Sequence, residues 1–240
     1  MRGVVYTANY GDYDKRLELV GSCRSDFKAL YFTEPEFGIG KGWERAEFNA
    51  PQWWNDLIDP AKAKIIKINP WLAFGDDWDV CIWVDGNIEV TKSVSSTAKH
   101  LKGDFVTTTQ PTTDSFYKEL DLVSRHRRPY LDGLRDQISS VIKWHKKNGT
   151  PNKDSIGGIC TRFILRRNTE SCKDLCEKWM ERFIAEGIWR DQVALRGVGH
   201  NHECEVRRVN KGICGVRYSC SHDKSAKNTK RGLKLKNGLR

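Results

Sequence analysis

Apolar residues fall along this chain in short unbroken runs separated by longer amphipathic stretches. Residues 3–8 (GVVYTA) form the first run and end in the polar turn NYGDYD, the pattern of a strand and its turn. Residues 27–33 (FKALYFT) predict a second strand, closed by EPEFG. Residues 60–74 predict a helix with Asp59 as N-cap and Pro60 at the first helical position, and Pro70 should kink or end it. Residues 79–84 (DVCIWV) are apolar at consecutive positions, as in a strand buried on both faces. IEV, just beyond DGN, reads as a short continuation of that strand. A helix over 93–102, a strand over 104–109 and one or two helices over 115–148 follow, the last with Leu134, Ile138, Val141 and Ile142 at helical spacing. After the turn NGTP come a strand over 158–166 and a helix over 171–187 stopped by Gly187. Strands alternating with helices predict an α/β fold, with a mixed, mainly parallel sheet flanked by helices.

Charge sharpens the picture at one end. Residues 205–240 hold 11 Lys/Arg against 2 Asp/Glu, whereas the rest of the chain is nearly neutral. Periodicity fades there too, so the sequence predicts a domain over 1–204 and a basic tail over 205–240. Such a tail suits phosphate groups, an anionic membrane or nucleic acid, or is simply a solvated end. No apolar run reaches the roughly 20 residues that cross a bilayer. The opening MRGVVYTANYG reads as a strand rather than a signal peptide, so a cytoplasmic protein is expected. The eight cysteines are then expected as reduced thiols, several of them packing the core. The group His200, His202, Cys204, Cys214, Cys220 and His222 has zinc-binding residue types, but its spacing fits no standard zinc motif.

Chemistry is suggested most strongly at Trp83-Val84-Asp85-Gly86-Asn87, where a buried strand ends in an acid, a glycine and an amide. Ligands of open α/β sheets bind beyond the carboxyl ends of the strands. A carboxylate with a nearby amide oxygen suits Mn²⁺ or Mg²⁺ bridging a diphosphate, and Gly86 lets a ligand come close. The same three residues are also ordinary turn chemistry. Lys64 and Lys67 lie three apart on the preceding helix and can face one ligand, or face solvent as most helical lysines do. Arg162, Arg166 and Arg167 are phosphate-holding candidates, or the charged end of a strand.

The run DPAKAKIIKINPWLAFGDDWDVCIWVDGNIEV resembles the core of a glycosyltransferase-like family once catalogued as a domain of unknown function, with plant members acting on cell-wall or mucilage polysaccharides and many bacterial and viral members. Matching motifs occur in the same order: VVYTANYGDYD, His126-Arg127, NGTP with CTRFILRRN, and IWRDQVAL. The likeness spans about residues 3–200. The family is similar to GT-A fold, Rossmann-like glycosyltransferases, most closely the retaining enzymes of family 8. The resemblance implies a hexosyltransferase-like enzyme using a nucleotide-sugar donor, UDP-linked, with a glycan, lipid or protein acceptor. It implies that Asp85 binds metal and donor, with Asn87 in place of a second Asp, and that His200 or His202 is a third metal ligand. Tyr6, Thr7, Asn9 and Tyr10 would hold the base and ribose, with Lys64, Lys67 and Gly86 around the phosphates. Asp191 and Gln192 resemble the acid–amide pair beside the anomeric carbon, Asp191 binding acceptor hydroxyls or acting as base. Without the resemblance, Asp191 reads as a helix cap. Trp71 is expected in the core, and Trp53 and Trp54 either there or stacked on an acceptor sugar. Two other readings compete: a nucleic-acid-binding protein that works through its basic tail, and a sugar-nucleotide-binding homologue without turnover. Nucleic acid is the weaker expectation, because the body is neutral and carries no recognised nucleic-acid motif.

Overall fold

The computed structural model describes residues 1–11, 19, 27–86, 88–90, 92–110, 115–127, 134–153 and 158–218. Asn87, Cys220, His222 and most of the basic stretch lie outside them. Nine strands are described: β1 Gly3–Ala8, β2 Lys28–Phe32, β3 Glu44–Arg45, β4 Val80–Val84, β5 Ile88–Val90, β6 Phe105–Gln110, β7 Gly158–Arg167, β8 Val206–Val209 and β9 Val216–Tyr218. Seven α-helices accompany them: α1 Asp59–Ile68, α2 Pro70–Phe74, α3 Val94–His100, α4 Phe116–Arg127, α5 Leu134–Lys147, α6 Glu170–Glu186 and α7 Asp191–Gly199.

Seven strands form one sheet in the order β3-β2-β1-β4-β7-β6-β8. All pairings are parallel except those of β7, which runs against both β4 and β6. Every residue of β4 is buried, as expected of a strand covered on both faces. On one face Tyr6, Cys81, Trp83 and Ile164 pack beneath α1, α2 and α6. On the other, Val5, Ile82, Val84 and Leu165 pack with α3 and Cys214.

Local signals set the helix limits. Asn69 ends α1 and caps α2, accepting the Leu72 amide at 3.1 Å, so the break before Pro70 is built by both residues. Asp59 is the first helical residue rather than the cap, which is Ile58. Gly187 ends α6 at φ 63°, the left-handed conformation that favours glycine.

Two expectations are corrected. IEV does not continue β4; it pairs antiparallel with β9 as a separate ribbon. The domain does not end at residue 204, because β8 joins the main sheet beside β6. Its VRRV sequence is half-exposed, and charge on an edge strand discourages further pairing. The zinc grouping also separates. Cys204 packs on the first face with Cys172 and Cys176, and Cys214 on the second. Six described cysteines are free and buried. Trp71 and Trp54 are buried, the latter against Tyr10 and Phe48, while Trp53 is exposed.

Candidate functional site

From β1 the chain goes outward to β2 and β3, then returns to place β4 on the other side of β1. Strand order therefore reverses between β1 and β4, the position where open α/β sheets form a ligand crevice at the strands' carboxyl ends. Asp85 follows β4 directly, and its main-chain oxygen accepts the Ile88 amide at 2.9 Å, closing a tight turn that contains Gly86.

A buried charged cluster stands at this edge. Lys67 Nζ lies 3.1 Å from Asp85 Oδ1 and 2.8 Å from Asp191 Oδ2. Lys64 Nζ pairs with Asp191 Oδ1, so the two lysines share one face of α1. Thr161 donates its hydroxyl to Asp191 Oδ2 at 2.6 Å, and the Trp83 indole donates to Asp85 Oδ1 at 2.7 Å. Lys67 also lies over the Trp83 ring, 5.6 Å from its centre. Asp191 is fully buried, whereas the Asp85 side chain keeps 27% of its exposure. Asp85 Oδ2 has no partner among the described residues.

Burial alone would push the Asp191 carboxyl up, but Lys64, Lys67 and Arg190 outweigh it and hold the group well below the usual carboxylate range. Burial would likewise lower the Lys67 ammonium, and Asp191 and Asp85 reverse that and raise it. Both groups are therefore charged across the neutral range.

A strand irregularity aims Thr161 at Asp191. Thr107 pairs with Ile164 but Thr108 pairs with Cys160, so residues 161–163 of β7 bulge against one step of β6. The Thr107 hydroxyl reaches the carbonyls of Cys160 at 2.7 Å and Phe163 at 3.0 Å, and the Asp85 amide donates to Arg162 O at 2.9 Å. Carbonyls freed from the ladder are thereby satisfied, and β7 is tied to the tip of β4. Asp191 is positioned from the other side. It opens α7, where the helix dipole favours a carboxylate, and its carbonyl accepts the Trp179 indole at 2.9 Å. Two residues earlier, Trp189 sits at φ 53°, the lone non-glycine with positive φ among the described residues, and its ring packs on Phe183.

The other expected site residues are placed differently. Tyr6 is fully buried, and its hydroxyl donates to Lys67 O at 3.1 Å and accepts from Arg166 at 2.8 Å, so it braces α1 from below rather than lining a crevice. Arg166 is equally buried and is unavailable to a phosphate. Alternation along β1 puts Thr7 on the face of Val5, away from the lysines. Asn9 and Tyr10 follow β1 and are buried; the Asn9 amide bonds Phe32 O at 2.9 Å. Burial, then Glu34, pushes the Tyr10 hydroxyl up. Asp191 has both oxygens engaged by Lys64, Lys67 and Thr161, and its lowered proton affinity makes it a weak acceptor-side base. It is not a side-chain helix cap.

His200 lies one helix length from Asp191, about 13 Å at 1.5 Å per residue, and its Nδ1 is 2.8 Å from Gly197 O. It is therefore not a co-ligand of Asp85, and His202 instead contacts the Asp174 carboxylate at 2.8 Å. Among the described residues no three His, Cys, Asp or Glu side chains are grouped to hold a metal. The described residues do not by themselves make a protein cage for Mn²⁺ or Mg²⁺. One open carboxylate oxygen at Asp85 does fit a cation that arrives with phosphate ligands of its own.

Glu119 and Arg190 form a further ion pair beside the cluster, at 2.7 Å, and the sequence reading missed Glu119. Phe116, Leu120 and Val123 mark the apolar face of α4, and Glu119, three residues after Phe116, falls on that face. A lone carboxylate on an apolar face was the signal that could have found it. No helix of the described residues is long and apolar enough to cross a membrane. The chain matches no protein-family model and no curated protein.

Proposed function

We propose that the chain is a glycosyltransferase, moving a sugar from a nucleoside-diphosphate donor of the UDP-sugar class to a hydroxyl of a glycan, lipid or protein acceptor. One observation carries the reading: a single ammonium, Lys67, bridges a part-exposed carboxylate and a buried one where the strand order reverses. Glycosyl transfer passes through an oxocarbenium-like state, which a fixed negative charge stabilises. Asp191, ionised and immobile, supplies that charge without taking up a proton. Asp85 offers its open oxygen to the donor, either to a hydroxyl or to a divalent ion carried by the diphosphate. Such an ion, when bound, would neutralise charge growing on the leaving group. Lys64, with a fifth of its side chain exposed, lies on the approach to the same edge. Lys67 holds both carboxylates in register.

The test is turnover of a panel of UDP-sugars, as hydrolysis or transfer, with Mn²⁺, with Mg²⁺ and with chelator. The wild type should release UDP, and Asp85→Ala should lower kcat/KM by about 100-fold or more, the scale on which single electrostatic contacts act. Full activity in Asp85→Ala, with the variant folded, would remove Asp85 from the reaction. Tight UDP-sugar binding without turnover would favour a binding protein over an enzyme.

A further inference from the structure

A small cavity lies between α4 and α7, next to the charged cluster. Phe116, Glu119, Ile159, Gln192, Val193 and Arg196 line it. Its volume is about 10 Å³, room for one water-sized group. Gln192 follows Asp191 in the chain, and Ile159 lies two residues before Thr161, the residue that holds Asp191. The cavity thus shares its walls with the supports of the cluster.

Two polar atoms in this lining have no partner among the described residues: Glu119 Oε1 and Gln192 Oε1. Both side chains are more than nine-tenths buried. Glu119 Oε2 is already committed, accepting Arg190 Nε at 2.8 Å and pairing with its Nη2 at 2.7 Å. A buried acceptor left unpaired costs about 1–3 kcal/mol, so two such atoms around one space call for a partner that donates two hydrogen bonds. An anion is unsuited, because the Glu119 carboxylate repels it. A cation is unsuited too, because Arg190 already pairs with Glu119 and Arg196 is part of the lining. Neutral donors remain, a water or a sugar hydroxyl: each can give a proton to a bare oxygen and accept in return.

We infer that this cavity is a hydroxyl-reading subsite, where Glu119 and Gln192 accept hydrogen bonds from two adjacent hydroxyls of the transferred sugar. The inference rests on the glycosyl-transfer reading above. One hydroxyl enters the cavity and its neighbour sits at the mouth. A space of one water holds a hydroxyl but not an acetamido group, so with the C2 hydroxyl as the one that enters, the donors are hexoses rather than N-acetylhexosamines, which keep a vicinal diol only at C3 and C4. A site built around a hydrogen-bonding hydroxyl rejects analogues lacking it strongly, because its buried polar atoms are left bare.

Calorimetric titration of the full chain with UDP, UDP-glucose, UDP-galactose and UDP-N-acetylglucosamine tests the assignment. The wild type should bind at least one of the two hexose donors at least tenfold more tightly than the N-acetylated one. Glu119→Gln can turn an amide NH₂ into the cavity while its oxygen still meets Arg190, and Gln192→Met removes an acceptor at similar volume. Each should bring that ratio to within about threefold and leave the affinity for UDP alone unchanged. If Glu119→Gln does not fold, Gln192→Met decides. Failure of UDP itself to bind overturns the glycosyl-transfer reading beneath the inference. UDP binding with no hexose preference, or with a preference that survives both substitutions, overturns the subsite alone.

Discussion

Lys67 and Arg166 are two buried cations on the same face of the sheet, and they meet at the same turn of α1. Lys67 points its ammonium at two carboxylates. Arg166 meets no carboxylate among the described residues: it donates to the Tyr6 hydroxyl and to the main-chain carbonyl of Lys67, both at 2.8 Å, and lies over the rings of Phe105 and Trp179. One cation is balanced by ions and the other by dipoles and aromatic faces. Desolvation of a charge costs several kcal/mol either way. What differs is what remains when the cation is removed. Around Lys67 two anions are left, one of them in the dry interior. Around Arg166 only neutral groups are left, and the Tyr6 hydroxyl still donates to the Lys67 carbonyl at 3.1 Å. Ion-balanced charge is where substrate chemistry can couple to the protein, and dipole-balanced charge is scaffolding.

Lys67→Met tests the ion-balanced side and should have the largest effect. Breaking a buried ion cluster by deleting one partner typically costs about 3–5 kcal/mol. Asp191 would keep Lys64 and Thr161, while Asp85 would keep only the Trp83 indole. Urea denaturation at neutral pH should show this loss, together with a drop in UDP-sugar turnover. A cost under 1 kcal/mol would mean that the bridge is not what balances the two carboxylates.

Asp191→Asn should cost somewhat less, about 3 kcal/mol at pH 7, since the amide oxygen can still accept from Thr161 or a lysine. Its signature is in the pH dependence. The folded carboxyl titrates well below its ordinary 3.8, so the unfolded chain binds the proton more readily. Asp191 therefore contributes stability above about pH 4, and that stability is lost as pH falls through the depressed folded value. The gap between wild type and Asp191→Asn should narrow as pH is lowered from 5 to 2. A gap constant over that range would mean that Asp191 is not held ionised. The raised Lys67 value acts at the other end: its contribution is full below its ordinary 10.5 and fades as pH rises through the folded value.

Sequence reading recovered what local signals encode. The unbroken apolar run of β4, the break at Asn69-Pro70 and the stop at Gly187 each involve a few neighbouring residues, and all three appear within a residue or two of expectation. Lys64 and Lys67 share a face because helical spacing alone dictates it. What stayed hidden depends on partners distant in sequence. Asp191 is buried because Lys64 and Lys67, more than 120 residues earlier, neutralise it. Thr161 reaches it through a bulge whose carbonyls are satisfied from another strand. β8 and β9 escaped notice because they are short, and the VRRV of β8 lacks the alternation that marks a half-buried strand.

Arg166→Met carries the comparison to its smallest effect. The methionine nearly fills the vacated space and leaves no unpaired charge. Two hydrogen bonds from a charged donor and two cation–ring contacts are lost, and these alone would amount to several kcal/mol. Against that, the desolvation cost of a guanidinium with no carboxylate partner among the described residues disappears. The two contributions nearly offset, so the net loss should be about 1–2 kcal/mol, well below that of Lys67→Met in the same denaturation assay. Turnover should fall only as far as Lys67 shifts, because Arg166 reaches the site solely through the main-chain carbonyl of that lysine and the Tyr6 hydroxyl. A loss equal to that of Lys67→Met would show that Arg166 answers a buried anion, with a thiolate at Cys176 the candidate, since the hydrogen bond with Cys172 and then the Arg166 guanidinium pull that thiol down against its burial. Cys176→Ala in the Arg166→Met background should then recover stability, whereas with neutral surroundings it should only add the cost of a small cavity.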